Sequence, residues 1–224
     1  MVVSWGVEFE YDSLRKSGEY FALGENVVRV EGFNTQNDGT AGTEVRTPVL
    51  VDVLEAANKM SNFFKAQPDS HVPIMRGVGP INRSLGQHIH IGLPTRTLSH
   101  EEKIRIAVHA KRVYPFLVAM HANSLRDGYV SHRGMHSSFC KAIGRKAIDR
   151  THYGEISDSH IGTVEFRKFD ANIPQVTLVC ATILKVISQA ALNNKTSRSP
   201  FPHFDYTAEM NKAVRTGLQD LDVE

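Results

Sequence analysis

The residues best suited to chemistry come in pairs spaced two apart: Glu8 and Glu10, Glu44 and Arg46, His88 and His90, Glu165 and Arg167. On a β-strand that spacing puts both members on one face. Four glutamates drawn together would repel one another and raise each other's pKa unless cations lie between them. Carboxylates with one or two histidines and no cysteine suit Mg²⁺ or Mn²⁺ better than zinc. Taken singly, each pair has a plainer explanation, as a solvated strand face or a surface ion pair contributing roughly 0–1 kcal/mol. Only the four together point to a metal site.

The elements that must position them are legible. The run from Val2 to Tyr11 is rich in β-branched and aromatic residues and alternates from Val7 onward, so it predicts a strand. Residues 27–33 and 42–46 predict two more, joined by turn-forming residues 34–40 with Asn37-Asp38-Gly39. Pro48 is expected in the first turn of a helix running to about Lys65, with Val49, Val53, Ala56, Ala57, Met60 and Phe64 at helical spacing. His88-Ile89-His90-Ile91 alternates as a strand with both imidazoles on one side. Ser99 and Glu102 form a capping box for a helix expected to bend near Pro115 and end near Ser124. Residues 126–151 read as a polar loop carrying Arg133, Arg145 and Arg150. Residues 161–169 alternate strongly as a strand, Pro174 opens an apolar helix to about Leu192, and a weak amphipathic helix starts near Thr207.

Composition narrows the class. Apolar residues make up 41% of the 224, which excludes disorder, and 26 basic against 24 acidic residues leave a net charge of +2 with no dense basic run. No nucleic-acid partner is expected. Glu8 and Glu10 interrupt the N-terminus and no charge-free apolar stretch reaches bilayer length, so neither a signal peptide nor a membrane span is expected, and the chain reads as cytoplasmic. Cys140 and Cys180 form no C-x-x-C and are given no function. No H-E-x-x-H, G-x-S-x-G or P-loop pattern occurs, and residues 91–99 lack the glutamate that a cupin places after its histidine pair.

Gly6-Val7-Glu8-Phe9-Glu10, Gly42-Thr43-Glu44-Val45-Arg46-Thr47-Pro48, Gly86-Gln87-His88-Ile89-His90-Ile91-Gly92 and Thr163-Val164-Glu165-Phe166-Arg167 occur in the order found in the glutamine synthetase-like amidoligases. The chain resembles that superfamily from Gly6 to Asp170, and its segment Tyr114–Phe139, with Ala122-Asn123-Ser124-Leu125, is similar to the corresponding stretch of the bacterial glutamate–cysteine ligase type. The resemblance implies an α+β fold, a curved antiparallel β-sheet with helices on its outer face like the glutamine synthetase catalytic domain. Residues 1–198 would form this domain and 199–224 a helical tail, without the extra N-terminal domain of true glutamine synthetases.

It also implies ATP and Mg²⁺ (or Mn²⁺) as cofactors. Glu10 and Glu44 would hold the metal nearer the acceptor carboxylate. Glu8, His88 and Glu165 would hold the metal bridging the phosphates, with His90 and Arg46 at the nucleotide. Arg167 would steady the transferred phosphoryl group, helped by loop arginines drawn from Arg133, Arg145 and Arg150. The implied activity is carboxylate–amine ligation through an acyl-phosphate, on small-molecule or peptide substrates, in a protein free to form a homo-oligomer. A guanidino-kinase-type phosphotransferase and a non-catalytic nucleotide- or metal-binding module are the alternatives.

Overall fold

The computed structural model describes residues 1–15, 20–21, 29–38, 42–67, 71–74, 85–122, 147–149, 154–195 and 205–216. Its strands are β1 (Ser4–Arg15), β2 (Tyr20–Phe21), β3 (Asn34–Asp38), β4 (Gly42–Arg46), β5 (His71–Ile74), β6 (Gly86–Gly92), β7 (Ile156–Asp158) and β8 (Val164–Asp170). The helices, in chain order, are α1 (Val53–Ala66), α2 (His100–Lys111), α3 (Tyr114–Met120), α4 (Pro174–Leu192) and α5 (Tyr206–Thr216).

Six strands follow the order β3-β4-β1-β6-β8-β7, and the far end of β1 also pairs with β2 and β5. All these strand pairings are antiparallel. The expected α+β arrangement, an antiparallel sheet with helices against one face, is therefore the arrangement found. Trp5, Val7, Phe9, Val45, Ile89, Ile91, Phe166 and Phe169 point into one core with Met60, Phe63, Ile106, Tyr114 and Leu184 of the helices. The opposite sheet face carries the glutamates and histidines, so the two-residue period divides the strands between fold and chemistry.

Two helices start as their sequences direct. Ser99 and Glu102 exchange both capping-box hydrogen bonds at the start of α2, and Pro174 occupies the first turn of α4. By length and composition α4 could cross a membrane. Here its Thr177, Cys180, Ala181, Leu184 and Ser188 are buried, and Lys185 donates to Val51 O. Helix α5 adds Met210, Ala213 and Val214 to the same core.

Four boundaries differ from expectation. Residues 48–50 are not helical: Leu50 is buried and exchanges backbone hydrogen bonds with Trp5 at 2.9 and 2.8 Å, and the helix waits for its N-cap, Asp52. Of the strand expected over 27–33, residues 29–33 are not strand and 27–28 lie outside the described residues. Phe33 N–H donates to Val30 O across a turn in which Gly32 takes φ 82°, and the polar run 34–38, expected as a turn, forms the edge strand instead. Polar residues suit an edge, where one side of the backbone meets water. The single bent helix is two, α2 and α3, with Pro115 in the first turn of the second. Strand β8 opens at Val164, after a turn with Gly162 at φ 84°, and the three-residue β7 beside it is too short to show a period.

Candidate metal centre

Register brings the pairs together. Glu10 faces Glu44 and Glu8 faces Arg46 across β1 and β4, Glu8 faces His88 across β1 and β6, and His90 faces Glu165 across β6 and β8. Directly opposed residues share a face, so side chains up to 157 positions apart in the sequence meet on three adjoining strand pairs.

His88 stands at the centre. Its Nδ1 lies 2.9 Å from Glu8 Oε2 and 3.1 Å from Glu165 Oε1, and its Nε2 lies 3.8 Å from Glu10 Oε1. His90 Nδ1 is 2.9 Å from Thr163 Oγ1, while its Nε2 points between Glu8 Oε1 at 3.4 Å and Glu165 Oε1 at 4.0 Å. Arg46 Nε bridges Glu44 at 2.7 Å and Glu8 at 3.1 Å; Arg167 Nε lies 3.4 Å from Glu165. Gln36 donates to Glu44 at 2.9 Å, and Gly86 N–H donates to Glu10 at 2.7 Å.

The electrostatics follow from this crowding. Burial pushes the Glu8 carboxyl up, but its interactions with the His88 and His90 rings together outweigh it and hold Glu8 well below the ordinary carboxylate range. The same contest, with Arg167 added, leaves Glu165 at about 2. Glu44 moves the other way: burial and the neighbouring charges of Glu8 and Glu10 raise it against the pull of Arg46 and His88.

A cation fits this donor set. One ligand atom each from Glu8, His90 and Glu165 lie within 4.8 Å of one another. His90 Nε2 is buried without a hydrogen-bond partner among the described residues. A tautomer that donates Nδ1–H to Thr163 leaves the Nε2 lone pair facing the two carboxylates, the usual way a ligating histidine is oriented. The ligand group drawn by geometry contains His90 where the resemblance implied His88. His88 itself sits between Glu8, Glu165 and Glu10, so it touches both implied ligand sets.

A cleft enclosing about 490 Å³ of open space adjoins Glu8 and His90. Ser4, Gly6 and Gly92 line it, with the exposed Val49 and Ile161 and the half-buried Arg46 at its sides. A side chain at position 92 would meet Thr163 Cγ2 at 2.9 Å, so glycine keeps the two strands close here.

Of the residues singled out from sequence, Glu8, Glu10, Glu44, Arg46, His88, His90, Glu165 and Arg167 gather here, while Arg133, Arg145 and Arg150 lie outside the described residues. Sequence reasoning passed over Thr163 and Gln36. Thr163 stands two residues before Glu165, and the same period could have found it. It also passed over Asp170, which register with Gly86 puts on the His88 face; strict alternation from Glu165 puts Asp170 on the other side.

No family model matches the chain, and no curated protein matches it in sequence. Among solved structures it is similar to a chain in the crystal structure of the complex between prokaryotic ubiquitin-like protein Pup and its ligase PafA. The TM-score is 0.54 at 11% identity, over 96% of this chain and 51% of that one. At that identity the likeness concerns the fold alone, and this chain spans about half the length of its neighbour.

Proposed function

We propose that the protein is an ATP- and divalent-metal-dependent carboxylate–amine ligase of the glutamine synthetase-like type. The observation that carries this reading is the largely buried cluster of Glu8, His90 and Glu165 with an imidazole nitrogen aimed between two carboxylates. The shared fold with a ligase complex supports it at a coarse level, and the protein partner in that complex favours a peptide or protein substrate alongside small acids and amines.

In this reading Glu8, His90 and Glu165, with His88 beside them, hold a Mg²⁺ or Mn²⁺ ion at the phosphates, and Glu10 and Glu44 hold a second toward the acceptor. Bound there, the ions supply charge neutralisation for the phosphate oxygens. The cleft takes the nucleotide: Gly6 and Gly92 give it a floor without side chains, and Val49 and Ile161 offer apolar walls to a flat base. Arg167, held over the cluster by Glu165, meets the transferred phosphoryl group.

The chemistry balances without further reagents. A carboxylate oxygen takes the γ-phosphoryl group, its P–O bond forming as the bond to ADP breaks. The amine nitrogen then attacks the acyl carbon, phosphate leaves with the C–O electrons, and the nitrogen loses a proton. Incubation with ATP, Mn²⁺ and panels of acids and amines should yield ADP, free phosphate and an amide. Accumulation of a stable phosphorylated substrate would reassign the protein as a phosphotransferase. No turnover with any pair and no ATP binding by calorimetry would end the enzymatic reading.

A further inference from the structure

Strand β8 is irregular where it faces His88. Its pairing with β6 runs from Gln87 opposite Phe169 to Ile89 opposite Phe166, so Arg167 and Lys168 together stand opposite the single residue His88. A bulge of this kind takes backbone groups out of the ladder and re-aims the side chains next to it. Here a side chain from the helical layer serves them. Lys168 N–H donates to the Tyr114 hydroxyl at 2.9 Å, and the hydroxyl donates to Glu155 O at 3.2 Å. The same carbonyl accepts from Arg167 N–H at 3.0 Å.

Tyr114 lies on α3 and is fully buried. Its ring meets Phe166 and Phe169 edge-on, at centroid distances of 5.4 and 5.3 Å. Those two residues bracket the bulge on the helix face. A phenylalanine would fill the same space, so the hydroxyl is not required for packing; it bonds the backbone of the bulge and of the adjoining Glu155. Glu165 lies three residues before Lys168, and Arg167 is itself a bulge residue. Loss of the hydroxyl would leave a buried N–H to find another partner, and the backbone carrying Glu165 and Arg167 would move with it.

We infer that Tyr114 is a positioning residue for the metal centre, its hydroxyl fixing the β8 bulge so that Glu165 and Arg167 are set against His88. It touches neither metal nor substrate. The inference rests on the metal reading of the Glu8–His90–Glu165 cluster.

The test is Tyr114→Phe in the full chain, titrated with Mn²⁺ by calorimetry and followed by circular dichroism. The expected result is affinity lower by about tenfold or more, the range typical of groups that orient a ligand, with the folded spectrum kept. Met60→Ala, a core truncation in α1, serves as the comparison: it should lower the thermal midpoint and leave Mn²⁺ affinity in place. Wild-type affinity in Tyr114→Phe, or an equal loss of affinity in Met60→Ala, overturns the inference.

Should Tyr114→Phe not fold, the wild type decides. Coupling between metal and bulge is reciprocal, so Mn²⁺ saturation must slow hydrogen exchange at the Lys168 amide more than at Ile106 in α2. Equal slowing overturns the inference. Wild-type protein that binds no Mn²⁺ overturns the metal reading itself and this inference with it, an outcome distinct from unaltered binding in the variant.

Discussion

The two faces of the sheet are made by the same strands and obey different physics. On the helix face, Trp5, Val7, Phe9, Ile89, Ile91 and Phe166 are each at most 2% exposed and gain by contact with whatever apolar neighbour lies against them. Such packing is non-directional and tolerates many partners. On the metal face, Glu8, Glu44, His88, His90, Glu165 and Arg167 are all largely buried as well, but each depends on particular atoms of the others. Burial by itself raises Glu8, Glu44 and Glu165, and only His88 and His90, joined at Glu165 by Arg167, bring two of them down. One face stabilises the fold; the other draws on that stability to keep like charges together.

That contrast can be broken by measurement. The largest effect is expected on the helix face. Phe166→Ala removes a fully buried ring and should cost about 3–5 kcal/mol by denaturant unfolding, with metal binding retained in whatever fraction stays folded. Glu165→Gln, one residue away on the other face, keeps the shape and loses the charge. It should weaken Mn²⁺ binding by about 100-fold, or roughly 2.7 kcal/mol, a loss of affinity that Phe166→Ala does not share. Equal loss of Mn²⁺ affinity in the folded fraction of the two variants would show that the faces are not separable in this way.

Glu44→Gln sharpens the comparison by reversing the usual sign. Burial and the charges of Glu8 and Glu10 raise the Glu44 carboxyl, so its ionised form is disfavoured in the folded state. The metal-free variant should therefore be more stable than wild type at pH 7. The gain should shrink as the pH falls through the ordinary carboxylate range. Glutamine can still accept from Gln36 and Arg46 through its carbonyl oxygen. A variant less stable than wild type at pH 7 would mean that attraction to Arg46 and His88 dominates.

The smallest effect belongs to an ion pair away from both faces. Glu102 accepts from Arg96 at 2.6 and 2.7 Å and is held at about 2 by that pairing, against burial, with help from Ser99. Its folded-state pKa is depressed, so its contribution is complete above about 4.5 and lost as the pH falls toward about 2. Arg96 is exposed, and water screens the pair. Glu102→Gln should cost only about 0–1 kcal/mol at pH 7, keep the capping box, and converge with wild type in thermal midpoint at low pH.

Much of this was legible in the residues. A period of two assigned Glu8, Glu10, His88 and His90 to one face and Val7, Phe9 and Ile89 to the other, because strand geometry alone fixes which side each residue takes. Ser99 with Glu102 marked the start of α2, and Pro174 that of α4, through interactions within one helical turn. The polar strand 34–38 was not legible, since its strand character comes from pairing with β4 rather than from its own apolar residues. Helix α1 was placed too early, since Leu50 is drawn to β1 by a bridge that no local pattern announces.

What the sequence by itself determined was the inventory of ligand types and the face each would take, which depend on chemistry and on spacing along one strand. What only the tertiary structure decided was the company they keep. His88 lies among three carboxylates and His90 Nε2 is left without a hydrogen-bond partner among the described residues, while Phe169 returns to the core because the bulge at Arg167 and Lys168 absorbs one residue. Register between strands is fixed by packing and backbone pairing across the whole sheet, and a single inserted residue changes every assignment beyond it.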